Sequence, residues 1–154
     1  MTDPSASAHD PVPEGFTAHE REAIRQRAEE LRAEGRSGKK KADLERAALD
    51  AIAAMPDADR ALAERIHAIV TRVAPELTAK TWYGFPAYAR DEGVVCFFTS
   101  AEKGEARYAV LGFNDIAQLD DGDMWPTAYA IVDWSPTVEQ RVAQLIGRAV
   151  GIAD

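Results

Sequence analysis

The chain has a single cysteine, Cys96, so no internal disulfide is open to it and nothing in it calls for an oxidising compartment. Long apolar runs are missing as well. The strongest, Val94 to Phe98, is far shorter than the roughly 20 residues that a bilayer-spanning helix needs. No basic segment followed by an apolar one opens the N-terminus, so secretion and membrane insertion lack support and a cytoplasmic protein is expected. Basic residues are scarce: 18 Lys and Arg stand against 26 Asp and Glu, a net charge of −8. That balance excludes a general phosphate-backbone binder, which depends on clustered cations, so no nucleic-acid partner is expected.

Catalytic signatures are absent too. There is no Gly-x-Ser-x-Gly elbow, no dinucleotide-binding glycine pattern, no His-Glu-x-x-His and no Cys-x-x-Cys, and a non-enzymatic protein without a tightly bound cofactor is expected. Of the three histidines, His9 lies in the N-terminal tail and His19 in a first helical turn. His67 sits among apolar neighbours, which reads as a hydrogen-bonded histidine at the edge of a core. Cys96, inside an apolar strand, reads as a buried thiol and not a nucleophile.

What remains describes one ordinary domain: 154 residues, 46% hydrophobic, with three Trp, four Tyr and five Phe. Residues 1–15, rich in Pro, Ser, Ala and Asp, read as a flexible tail. Residues 16–41 form a helical extension with a basic connection, and 42–151 form an α+β domain. Thr17 followed by Glu20 is a capping box, which opens a helix to about Glu34 with the thin apolar stripe Ile24, Ala28, Leu31. Such a helix buries little and is expected on the outside. Gly35, Ser37 and Gly38 are expected to end it, with Arg36, Lys39, Lys40 and Lys41 as a solvated connection whose spacing does not fit a phosphate loop.

Asp43 is expected to cap a second helix carrying Leu44, Ala48 and Ile52, closed by Met55 and Pro56. Leu62, Ile66, Ile69, Val70 and Val73 mark the third and clearest helix, which Pro75 stops. Strands are expected at 81–83, 87–90, 94–99, 106–113 and 127–132, and the short turns at 91–93 and 102–105 imply an antiparallel meander. Gly84 and Pro86 predict a bulge or edge position in the first pair. Ser135 and Pro136 open a last helix with the stripe Val138, Val142, Leu145, Ile146, Ala149. The fold class is thus α+β: one antiparallel sheet of about five strands packed by N-terminal helices and one C-terminal helix.

Two constellations could carry function. Between Arg107 and Arg141 there is no Lys or Arg, while Asp115, Asp120, Asp121, Asp123, Asp133 and Glu139 are all acidic. Asp120, Asp121 and Asp123 are the densest piece and the candidate metal ligands, since grouped carboxylate oxygens suit hard cations and iron. The second is aromatic: Trp82, Tyr83, Phe85 and Tyr88 surround one turn and Trp125 lies beyond, a candidate pocket for a small ligand, with Lys80, Arg90 and Arg107 close in the strand order.

The segment Tyr83-Gly84-Phe85-Pro86-Ala87-Tyr88, after a helix ending Ala74-Pro75-Glu76, resembles the hallmark turn of the YdhG-like family of domains. Cys96-Phe97-Phe98, Arg107-Tyr108-Ala109, Asp121-Gly122-Asp123-Met124-Trp125-Pro126 and the closing helix are similar to the branch with a longer N-terminal helical extension. The likeness runs from about Phe16 to Val150. It implies a curved antiparallel sheet packed by helices, a likeness to frataxin, and intracellular iron delivery with weakly held iron.

Overall fold

A computed structural model describes residues 17–37 and 40–152, apart from the side chains of 33–37. The tail and part of the basic connection lie outside these residues. Helix α1 (Ala18–Ser37) opens as its capping box requires: the Thr17 amide donates to Glu20 Oε1 at 2.8 Å and the Glu20 amide to Thr17 Oγ1 at 3.0 Å. It runs through Gly35, which the sequence marks as its end. A helical glycine costs only about 1 kcal/mol against alanine, too little to stop a helix already propagating.

Helix α2 (Lys41–Ala53) starts ahead of Asp43. Lys40 occupies the N-cap without a side-chain bond, and Asp43 sits in the first turn instead, where its charge favours the helix N-terminus. Helix α3 (Asp57–Val73) buries Leu62, Ile66, Ile69 and Val70 of the expected stripe, with Ala63 beside them, while Val73 at its end is half-buried.

The sheet is a five-stranded antiparallel meander in the order β1 (Thr78–Trp82), β2 (Phe85–Arg90), β3 (Gly93–Thr99), β4 (Ala109–Phe113), β5 (Ala128–Ile131). Only Tyr83 and Gly84 join β1 to β2, at φ +54° and +82°. Two consecutive left-handed residues match the strands' own twist, the reason such turns close hairpins. Of the two outcomes expected for this pair, the edge position holds, since β1 is the edge of the sheet, and a register shift lies further on, between Tyr88 and Ala89. Pro86 needs none, because the ladder to β3 begins only at Ala87, opposite Phe97.

The β3–β4 connection is a helical turn, α4 (Ala101–Gly104), in place of a tight hairpin, so β4 begins at Ala109 and not at 106. Ser100 Oγ accepts the Lys103 amide at 3.0 Å, and the buried Asp59 carboxylate on α3 accepts the amides of Ala101 at 3.0 Å and Glu102 at 3.4 Å. Asp59→Ala leaves both donors bare, and each bond to a charged acceptor contributes about 1.5–3 kcal/mol. The expected result is a fall in thermal midpoint of about 8 °C, with Asp59→Asn recovering part of it, measured by calorimetry.

Helix α5 (Pro136–Ala149) has Pro136 in its first turn, and Ser135 Oγ accepts the Val138 amide at 3.2 Å. Period-two alternation then sorts the sheet residues. Ala79, Tyr88, Cys96, Phe98, Leu111, Phe113 and Ile131 join Ala48, Ile52, Ile66, Val70, Leu145 and Ile146 in one core between the sheet and α2, α3 and α5. The opposite face carries Trp82, Phe85, Ala87, Phe97 and Gly112. There Phe97 lies flat against Gly112, where a Cβ would meet its ring at 2.3 Å.

Candidate functional site

The aromatic residues singled out from the sequence fall into three places. Trp82, Phe85 and Phe97 share the face away from the core, with centroids 5.4–5.8 Å apart, and Tyr83 leans on Trp82 at 5.0 Å. These rings fill one another's space. Tyr88 points the other way, into the core, 1% exposed, with its hydroxyl 3.0 Å from His67 Nδ1. His67 Nε2 in turn lies 3.4 Å from Glu45, so this side chain ties α2, α3 and β2 together at the core edge. Burial pushes the Tyr88 hydroxyl far above the ordinary tyrosine range and the Cys96 thiol up to about 12. Both are therefore neutral packing groups at physiological pH.

Trp125 belongs elsewhere. The segment 119–126 folds back over α5, held by the Gln118 amide donating to the Ala149 carbonyl at 2.9 Å and by buried Leu119. It forms a cavity of about 330 Å³ lined by Trp125, Tyr129, Arg141, Gln144, Arg148 and Asp121 among others. A second cavity of about 360 Å³, more apolar, runs between β5 and α5 and shares Tyr129, Arg141 and Leu145 with the first. The two make one groove along α5. Tyr129 is its midpoint: its ring meets Phe113 edge-on at 6.1 Å, its hydroxyl donates to the Pro126 carbonyl at 3.4 Å, and the Arg141 guanidinium carbon lies 5.7 Å from its centroid.

Arg141, Gln144 and Arg148 occupy steps of three and four along α5, which places them on one face. Neither arginine forms an ion pair among the described residues, although Asp121 lines the same cavity. Two guanidinium groups on one helix face, that of Arg141 over the Tyr129 ring, make an anion-accepting groove that is apolar toward β5. On the other flank of α5 lies a cavity of about 430 Å³ between Arg65, Arg72 and Trp134. Its arginines share that space with Glu139, which already accepts the Trp134 indole N–H at 3.2 Å.

Asp120, Asp121 and Asp123 are all exposed. Among the described residues no group of three or more His, Cys, Asp or Glu is close enough to hold a metal ion, and no helix is long and apolar enough to cross a membrane. Lys80, Arg90 and Glu92 border a separate cavity of about 470 Å³ at the β1 edge, away from Trp125. The sequence pointed to Trp125 but missed Tyr129, Arg141 and Arg148. The signal was present: in the acidic stretch after Arg107, Arg141 and Arg148 are the only cations, and they recur at a spacing of seven on an amphipathic helix.

Comparison with family models, curated proteins and solved structures finds no match, so the likeness to the YdhG-like family rests on the motifs quoted above.

Proposed function

We propose that this protein is a non-enzymatic binding module for a small planar organic anion, taken up in the groove between α5, β5 and residues 119–126. The observation that carries this reading is the placement of Arg141 and Arg148 on one helix face, without carboxylate partners among the described residues, opposite Trp125 and Tyr129. The guanidinium groups hold the anionic end, Gln144 adds an amide, and the two rings sandwich the apolar part. Asp121 at the same cavity repels a second negative charge, which favours monoanions over polyanions. An iron-delivering role, as the family resemblance implies, would need Asp120, Asp121 and Asp123 to converge on one point. Their exposed turn gives that reading no support.

Benzoate is a suitable first probe, followed by titration calorimetry and by the fluorescence of Trp125 against a Trp125→Phe control. Loss of one charge-assisted contact costs about 1.5–3 kcal/mol, so Arg141→Gln should weaken binding by about tenfold or more. The Arg141→Gln, Arg148→Gln double variant should abolish it in the accessible range. Equal benzoate affinity in wild type and double variant would remove this groove as the site.

A further inference from the structure

The turn of Tyr83 and Gly84 does more than join two strands. In the left-handed conformation of both residues, successive amides point toward one spot, the geometry that receives anions. A carboxylate occupies it: the Tyr83 amide donates to Glu30 Oε1 at 3.1 Å and the Gly84 amide to Glu30 Oε2 at 3.0 Å. Glu30 is far away in sequence, on α1, and reaches the turn as a foreign ligand would. Around it the chain supplies cations: Arg27 lies 3.4 Å from the same carboxylate, and Lys103 on α4 donates to Gln26 Oε1 at 2.8 Å. The Gly84 backbone lies bare beneath two flexible side-chain ends: a Cβ there would stand 1.9 Å from Gln26 Oε1 and 2.8 Å from Lys103 Nζ, which would have to swing aside.

Tyr83 is the unexpected choice. Asparagine or glycine fits the first position of such a turn without strain, whereas a tyrosine at φ +54° costs on the order of 1 kcal/mol. It sets a ring beside Trp82 and Phe85, at 5.0 Å and 6.2 Å, and so gives the amide pair an aromatic border. The helix that fills the site is weakly held by apolar contact: Ile24 and Ala28 are only half-buried and Leu31 is 53% exposed. Among the described side chains of α1, none belongs to the buried cluster of the core.

We propose that the Tyr83 and Gly84 turn is a binding site for a small carboxylic acid, occupied in this state by Glu30 of α1, and that such an acid competes with α1 for the two amides. The site is independent of the groove along α5. With Glu30 withdrawn, Lys103 on α4 stays beside the turn, and the two N–H groups lose acceptors they cannot replace within the sheet. An incoming carboxylate restores both.

The test uses the full chain with acetate as the probe and the amide resonances of Tyr83 and Gly84 as the readout. A tethered Glu30 acts as a competitor at an effective concentration on the order of millimolar or above. In Glu30→Ala, both amides should therefore respond to acetate in a saturable way at concentrations at least about tenfold below those wild type needs. Benzoate should bind more tightly than acetate and also shift the Trp82 and Phe85 ring resonances. Glu30→Gln keeps the side-chain length while removing the charge, and carries the same test if the alanine variant gives no folded spectrum. A folded variant whose Tyr83 and Gly84 amides ignore acetate, or a wild type that responds at the same concentrations, would overturn the proposal.

Discussion

Between pH 9 and 12 the protein should lose stability at about 1.4 kcal/mol per pH unit through Cys96 alone, a total of about 4 kcal/mol. Burial of this thiol beneath the helices raises its pKa from 9 to about 12, because the interior solvates a thiolate poorly. In the unfolded chain the group ionises first, so above pH 9 the unfolded state binds fewer protons and stability falls. Below pH 9 the contribution is fully present. Tyr88, paired in register with Cys96, works in the same direction at pH above the ordinary tyrosine range. Lys103 opposes them: its pKa is lowered by desolvation, so the folded chain gives up that proton first and gains as pH rises. Urea midpoints at pH 8, 9, 10 and 11 measure the net slope. Cys96→Ala should flatten it by about 1 kcal/mol per pH unit, whatever its own cost near neutrality. A Cys96→Ala variant whose midpoints fall as steeply with pH as those of wild type would show that the thiol is not buried as described.

Phe98→Ala should destabilise the fold by about 4 kcal/mol, a large share of the 5–15 kcal/mol that holds a typical domain together. Phe98 is fully buried, lies in register with Leu111, and faces the helices. Truncation removes the ring and leaves a space that a sheet bonded on both sides of β3 does not collapse into. Phe97 is the matched control. It is the next residue, of the same type, but half-buried on the opposite face, so Phe97→Ala should cost about 1–2 kcal/mol. Equal denaturation midpoints for the two variants would mean that the faces of β3 are wrongly assigned.

Much of this architecture was legible because it is local. The stripe from Leu62 to Val73 and the Ser135-Pro136 start of α5 each state their outcome within a few residues, and the structure follows both. Thr17 and Glu20 bond as a capping box should, and the antiparallel pairing of β1, β2 and β3 follows from turns too short for crossovers. Gly35 misled because a propensity is a small energy that flanking turns outweigh. The aromatic constellation misled for a different reason. Phe85 and Tyr88 are three apart, so in a strand they must point to opposite faces, and nearness in sequence is not a shared pocket. The groove needed knowledge that α5 lies beside β5 and residues 119–126, which no local pattern states. The contact of Glu30 with the Tyr83 and Gly84 turn has no sequence signal at all, since helix and turn are far apart in the chain.

Nearest-neighbour strand order has one last consequence, for the path by which the chain reaches this form. Every strand pairs with the one before it, so no ladder waits on a distant strand, and a tight hairpin such as β1–β2 assembles in about 1–10 μs. The helix carrying Val142, Leu145 and Ile146 comes after all five strands, however. During vectorial synthesis at about 5–20 residues per second, the part of the sheet that α5 covers waits bare for its last partner, and that interval is when this chain is most exposed to misassembly.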